Sequence, residues 1–298
     1  MPDAEVETFS VEGELGDGPE MLGGLPPGPA HADAEDAVIV LADPYRFPAG
    51  ALLGRLNAEH RRPRALGGLA SAAVGGIAPL ILDGEIAGDG LGAVGCVLRG
   101  VDMSPCVSQG ATPVGPEMAI TAAEGNVVSE LAFKPALERL GEVISGLPPD
   151  ERGAATRGML IGIVIDENRP EHERGDFLVR PIVGADRDSG AIAIGERVRV
   201  GQTVRLQVRD GISADADLRE ALALQAGAMG EGGAAGALMF TCNGRGRGLF
   251  GVADHDADAV EDALSAPVGG FFCAGEIGPV GGRNFLHGFT ATLAVFGS

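Results

Sequence analysis

Two segments of the chain repeat one order of elements. "VIVLAD" (38–43) leads through a loop and a helix-periodic stretch to "GGLAS" (67–71), and "LMFTCN" (238–243) leads the same way to "GGFFC" (269–273). Each copy then passes a glycine-rich hairpin and closes on a further apolar run, "GAVGCVL" (92–98) or "FTATLAV" (289–295). A strand–helix–strand unit buries its apolar faces only against other layers, so a repeat of this kind favours two half-molecules packed together. The pairing of the motifs sets Ser71 opposite Cys273. The fold class expected is mixed α/β (α+β), with layered sheets, flanking helices and two related half-domains.

The remaining elements follow from apolar period. "AGALLGRLNAEH" (49–60) carries Leu52, Leu53 and Leu56 on one helical face, and residues 134–150 carry Leu137, Leu140 and Ile144 at helical spacing behind Pro135. A third helix spans 213–226 with Ser213 as its N-cap, and a fourth spans 255–267. "MLIGIVI" (159–165), 177–184, 190–194 and 203–209 read as strands. In the last of these Val204, Leu206 and Val208 share one face, which leaves the other face to solvent. Asp83-Gly84 is a hairpin signal. Residues 23–36 read as a loop and 106–126 as a connector.

The formal net charge of −20 argues against a nucleic-acid partner, because an acidic surface repels phosphate. Aromatic side chains make up only 4%, with no Trp, so base-stacking platforms are scarce. No apolar run is long enough for a membrane helix, and "MPDAEVETFS" lacks the basic start and apolar core of a secretory signal, so a cytoplasmic location is expected. Cys96, Cys106, Cys242 and Cys273 form no closely spaced pair. Structural zinc is therefore not expected, and buried reduced thiols are. No cofactor is implied.

Three stretches carry candidate chemistry. "TCNGRGRGLFG" (241–251) follows a strand with alternating glycines, and such a loop can aim successive N–H groups at an anion, with Arg245 or Arg247 adding a guanidinium grip. It lacks the Gly-Lys-Ser/Thr ending of a Walker loop and does not read as GxGxxG opening a helix. "FFCAGEIGPVGGRNFLHGF" (271–289) places Cys273, Glu276, Arg283, Asn284 and His287 within fifteen residues. These suit either a glycine-lined ligand wall or a Cys–His nucleophile pair acting on an acyl or aldehyde group. "ADHDAD" (253–258) sets His255 between aspartates and suits a metal or a helix cap, while Asp176, Arg180, Asp186 and Asp188 belong to solvated turns.

Taken in order, "LADPYRFP", "GGLASAA", "VSQGATPVG", "GNVVSELAFKPALERL", "RGDFLVRPIVGADRDSGAIAIGERVRVGQTVRLQVRD", "FTCNGRG" and "GGFFCAGEIGPVGGRNFLHGFTA" resemble the FIST family over nearly the whole chain. The resemblance implies a sensory module of signal transduction that binds small ligands such as amino acids. It supplies no catalytic residues. Some relatives are joined to kinase or other output domains; here no residues remain for one, so a stand-alone form is expected. Family members usually carry more sequence before the segment resembling "EVETFSVEG". The expected division is thus a partial FIST N-terminal domain over 1–125 and a FIST C-terminal domain over 126–298; either the start is misassigned or the N-terminal domain is truncated, in which case it would leave sheet edges open.

The function expected is that of a small-ligand-binding protein, not an enzyme, whose ligand is an amino acid or other small carboxylate. Asn243, Gly244, Arg245, Cys273, Gly275, Glu276, Arg283, Asn284 and His287 are its candidate contacts, with Arg245 or Arg283 on the anionic group. The alternatives are the Cys-dependent enzyme and an interaction module that recruits a separate signalling protein. The sequence leaves the oligomeric state open.

Overall fold

Alternate side chains of Ala37–Ala42 enter two different cores. Val38, Val40 and Ala42 join one buried cluster, and Ala37 and Ile39 join another. A strand buried on both faces reads as continuous apolar sequence, and it must lie between two layers. The computed structural model describes residues 4–16, 18–24, 36–58, 63–71, 78–87, 92–157, 159–230 and 232–298. Most of the loop expected at 23–36 lies outside these, as do residues 59–60 of the first expected helix. The chain divides into two compact units, residues 1–108 with 217–298, and residues 109–216.

The first unit opens with β1 (Glu5–Val11), β2 (Ala37–Ala42), α1 (Ala49–Ala58) and β3 (Arg64–Leu69). The short hairpin β4 (Ile81–Leu82) and β5 (Glu85–Ile86) follows, turning at Asp83-Gly84 as expected, then β6 (Ala93–Arg99) and β7 (Met103–Ser108).

The second unit holds β8 (Thr112–Glu124), β9 (Val127–Leu131), β10 (Lys134–Pro135), α2 (Ala136–Gly146), α3 (Pro149–Arg157), β11 (Met159–Val164), β12 (Phe177–Ala185), β13 (Ile192–Ile194) and β14 (Thr203–Val208). Its sheet runs β9-β13-β12-β11-β14-β8, and β8 pairs back with β9, which closes a barrel. Val204, Leu206 and Val208 fill its core as expected. The connector expected at 106–126 is instead two strands. Gly115 and Gly125, both at positive φ, punctuate β8 and its turn without ending the strand. A closed barrel leaves no central strand edge, which its short strands did not announce.

The chain returns through α4 (Gly211–Ala228), whose first turn is held by Asp210. Its carboxylate accepts from Ser213 N and Oγ, so Asp210, not Ser213, acts as the cap. Then come β15 (Ala234–Cys242), α5 (Gly246–Phe250), α6 (His255–Leu264), β16 (Val268–Cys273), β17 (Gly275–Val280), β18 (Arg283–His287) and β19 (Ala291–Gly297).

Besides the β4–β5 hairpin, the described residues of the first unit form two sheets, ordered β1-β6-β2-β3-β17-β18 and β7-β19-β15-β16. Between them lies an apolar layer that includes Ile39, Leu66, Phe240, Cys273 and Ala294. Leu52, Leu53 and Leu56 of α1 cover the outer face of the first sheet, and Leu218, Leu222, Val260 and Leu264 of α4 and α6 cover that of the second. The order is helix, sheet, sheet, helix.

The two halves share strand order and direction. β2 is parallel to β3 and antiparallel to β6, which is antiparallel to β1; β15 is parallel to β16 and antiparallel to β19, which is antiparallel to β7. Two glycines fix the equivalence. A Cβ on Gly67 would collide with the Val40 carbonyl oxygen, and one on Gly270 would collide with the Met239 carbonyl oxygen. With Gly67 matched to Gly270, inward and outward residues agree on both strands. Cys273 then corresponds to Ala70, not to Ser71 as the sequence motifs suggested. The motif match aligned the wrong glycine of each pair, and a slip of one residue reverses every face.

Candidate functional site

Met239 and Thr241 point outward from β15, while Phe240 and Cys242 point to the layer between the sheets. Past Cys242 the chain turns sharply. Arg245 N donates to Cys242 O at 2.8 Å, and Gly246 takes φ +56 to start α5, the short helix that the glycine loop does open. Gly251 ends it at φ +77, which returns the chain towards α6.

The turn is tied down by a buried ion pair. Arg245 is 1% exposed, and its Nε and Nη2 donate to Asp256 Oδ2 and Oδ1 at 2.6 and 3.0 Å. Thr241 Oγ1 donates to Asp256 Oδ2 at 2.8 Å, and His255 Nδ1 lies 3.0 Å from Oδ1. The Arg245 guanidinium lies 5.2 Å from the centre of the Phe250 ring, and Phe250 stacks on His255 at 3.6 Å. Burial alone would raise the Asp256 pKa, but the Arg245 bonds outweigh it and hold the group below the usual carboxylate value.

Beside this knot is a cavity of about 240 Å³. Its floor is the outer face of β15 and β16, with Met239, Thr241, Gly270 and Phe272. Its rim is Gly246 and the start of α6, with Asp254, His255 and Asp256. None of the lining residues is Arg or Lys. Asp254 takes a left-handed conformation and makes no side-chain cap bond to α6. The cavity therefore offers a carboxylate, a hydroxyl and apolar surface. An amino or other cationic group matches the carboxylate, and a ligand carboxylate would find no guanidinium lining the cavity.

The expected site residues fall into three places. Arg245 lies in the knot; Asn243 and Gly244 form its turn, with Asn243 N donating to Cys273 O at 2.9 Å and Gly244 N to Cys242 Sγ at 3.4 Å. Cys273, Gly275, Glu276 and His287 form a second group at the strand ends. Glu276 is fully buried, and Thr290 N and Oγ1 both donate to its Oε2 at 3.1 and 2.8 Å. Among the described residues no hydrogen bond of ordinary geometry reaches its Oε1, although the Cys242 thiol is close enough to act on the carboxyl. Burial raises its pKa to about 7, against the Thr290 bonds that lower it. His287 stands opposite Glu276 in register, yet its Nε2 donates to Gly278 O at 3.0 Å. Gly275 pairs with Leu69 on β3. The Cys273 sulfur lies against Gly68, and burial followed by the Glu276 charge pushes its thiol pKa upward.

The third place is the hairpin. Arg283 pairs with Val280 at its tip, four residues and about 13 Å along β17 from Glu276. Its guanidinium lies 5.8 Å from the Phe285 ring centre. Asn284 is fully committed to structure: Oδ1 accepts from Ala65 N at 2.9 Å, Nδ2 donates to Pro63 O at 2.9 Å, and its backbone bonds both ends of the Asn57 amide. The nineteen-residue stretch that looked like one wall is thus a strand end and a distant hairpin tip. Thr241, Asp254, His255 and Asp256 replace it at the cavity. "ADHDAD" had signalled three of them, as a cap or metal motif. Among the described residues no group of three or more His, Cys, Asp or Glu is placed to hold a metal ion. Of the residues expected in solvated turns, Arg180 instead lies on β12 with its side chain largely buried against Glu196, while Asp176 pairs with Arg169.

No helix among the described residues is long and apolar enough to cross a membrane. The FIST N domain matches residues 4–134 and the FIST C domain residues 136–279. The expectation of a truncated N-terminal domain is corrected by the first of these ranges. The sequence domains and the compact units divide the chain differently, because the barrel unit spans the junction of the two matches. An uncharacterized protein of Mycobacterium tuberculosis is 47% identical over 265 residues, 88% of this chain and 68% of its own length. One of Mycobacterium bovis is 46% identical over the same shares. With both domain matches spanning most of its length, the chain belongs to the FIST family.

Proposed function

We propose that the chain is a sensory protein whose cavity beside the Arg245–Asp256 knot binds a small ligand through an amino group, as an amino acid would present it. FIST domains are associated with sensory signal transduction, which supplies the class of role. The observation that carries the ligand chemistry is the lining itself: Asp254 on the rim beside His255 and the Arg245-paired Asp256, Thr241 on the floor, and no Arg or Lys. Arg245, expected to grip a carboxylate, is already spent on Asp256. The ammonium faces Asp254, and the apolar part of the ligand lies on Met239 and Phe272. A volume of about 240 Å³ suits a molecule of amino-acid size.

Calorimetry against amino acids, simple amines and organic acids tests this. Ligands with an amino group bind, organic acids without one do not, and Asp254→Asn weakens binding about tenfold. A folded protein that binds none of them, or that prefers the plain acids, sinks the reading.

A further inference from the structure

The two halves differ in one respect that bears on binding. In the first half, the free edge of β3 is covered by β17, which sets Gly275, Glu276 and Ile277 opposite Leu69, Gly68 and Gly67. Ile277 packs into the outer core under α1, beside Gly67. The matching edge in the second half is that of β16, with Gly270 in the place of Gly67. There, among the described residues, no strand pairs with it. The first-half hairpin β4–β5, which would have to cover it, lies instead against β1 and β6, with Thr8 Oγ1 donating to Asp83 at 3.3 Å. The cavity lies where an Ile277 counterpart would pack.

The β16 edge is ready for pairing. Ala237 N donates to Pro267 O and Asn243 N to Cys273 O, so the odd-numbered residues between them bond to β15. The N–H and C=O groups of Val268, Gly270 and Phe272 therefore face outward. Gly269 and Gly270 are exposed, and Phe272 is 46% exposed. The other sheet edges of this unit are blunted: β1 carries Glu5 and Glu7, β7 carries Pro105, and β18 carries Arg283. β16, "VGGFFC", carries neither charge nor proline. An open edge without such protection is a template for another strand. Its surroundings are acidic. Asp254 rims the cavity, and α6, packed on β16, has Asp258, Glu261 and Asp262 beside the Asp256 already paired with Arg245; against these stands Arg247 on α5, so the net charge around the edge is negative.

We propose that the β16 edge takes an extended, basic segment of a partner protein, added antiparallel as β17 is on β3, with an aliphatic side chain in the cavity and Lys or Arg beside it on the same face. Charge selects the occupant. A second copy of this chain would bring a formal charge of −20 against the same acidic face. The inference rests on the edge and its symmetry, not on the proposed function; a segment bound this way and a small ligand would occupy the same cavity and exclude each other.

The probe is the peptide acetyl-Lys-Thr-Ile-Thr-Lys-amide, read by ¹⁵N NMR of the full chain. It produces saturable shifts at the Gly270 and Phe272 amides. N-methylation at the isoleucine, which removes the pairing N–H, weakens binding about tenfold or more, as does replacement of both lysines by glutamate. Phe272→Pro deletes an outward N–H and abolishes the shifts elsewhere on β16; Phe272→Lys does the same by repulsion should the proline variant fail to fold. Absence of peptide shifts, equal binding by the N-methyl or glutamate peptide, or shifts of the same amides on raising protein concentration alone each overturn the proposal. The last outcome assigns the edge to a second copy.

Discussion

Arg245 and Asp256 meet through two charge-assisted hydrogen bonds, 2.6 and 3.0 Å long, with both side chains withdrawn from water. The pair joins the turn after β15 to the first turn of α6. A desolvated pair adds little net stability by itself, but removing one member strands the other. Arg245→Met should therefore cost about 3–5 kcal/mol, and the double variant Arg245→Met/Asp256→Leu should recover a large part of it. Urea unfolding checks both. Because Asp256 is held below its usual value of 3.8, its contribution is present above that pH and is lost as pH falls through the lower folded value. The single variant should then lose its deficit only in strong acid.

Glu276 behaves in the opposite sense. Burial raises it from 4.5 to about 7, so the folded chain holds a proton that the unfolded chain has released. Stability attributable to this group is greatest below pH 4.5 and falls as pH rises towards 7. The loss is on the order of 2–3 kcal/mol. E276Q cannot ionise, and its side-chain oxygen can still accept from Thr290. The difference in unfolding free energy between wild type and E276Q should change by that amount between pH 4.5 and pH 8, in favour of E276Q at the higher pH. A flat difference would show that the carboxylate is stabilised in the fold by a partner on Oε1.

The sequence carried the strand–helix–strand duplication because strands such as Val38–Ala42 and Leu238–Cys242 are buried on both faces and read as unbroken apolar runs. It misled where residue type has two uses. Arg245 beside glycines reads as an anion grip, but its partner Asp256 lies eleven residues on, beyond a turn, and no local period reports that contact. Asn284 in a glycine hairpin reads as a ligand contact, but its partners Asn57, Pro63 and Ala65 come from more than two hundred residues away. The barrel stayed hidden because β8 contains Pro113, Gly115 and Pro116, which look like punctuation, while β14 and β9 supply its pairing from elsewhere in the chain.

The duplication predicts a matched sensitivity. Gly67 and Gly270 lie so close to the Val40 and Met239 carbonyls that a methyl group has no room in either half. Relief requires moving backbone in a core sheet. Gly67→Ala and Gly270→Ala should each destabilise by about 3 kcal/mol or more. Gly269→Ala is the control, since nothing lies within 4 Å of its Cβ, and it should stay within about 0.5 kcal/mol of wild type. Thermal unfolding of the three variants decides it; tolerance at Gly270 with intolerance at Gly67 would place the equivalence elsewhere.

The four thiols separate by burial, which tests the Cys-dependent enzyme directly. A nucleophilic cysteine must reach its thiolate near neutral pH, usually beside a cation or helix N-terminus. Cys273 has the reverse surroundings: it is fully buried against Gly68, and Glu276 adds negative charge to the effect of burial. Burial pushes Cys106 to about 12, with Asp217 adding to the shift. Cys242 is buried as well, and Cys96 is the one of intermediate exposure. Iodoacetamide at pH 7.5 should label Cys96 first and leave Cys106, Cys242 and Cys273 unmodified until urea unfolds the chain, as read by peptide mass spectrometry. Rapid native labelling at Cys273, faster than at Cys96, would mean an activated thiolate and would restore the Cys273–His287 reading. The present contacts oppose that, since the His287 Nε2–H is engaged by Gly278 O and the nearest charge to the thiol is acidic.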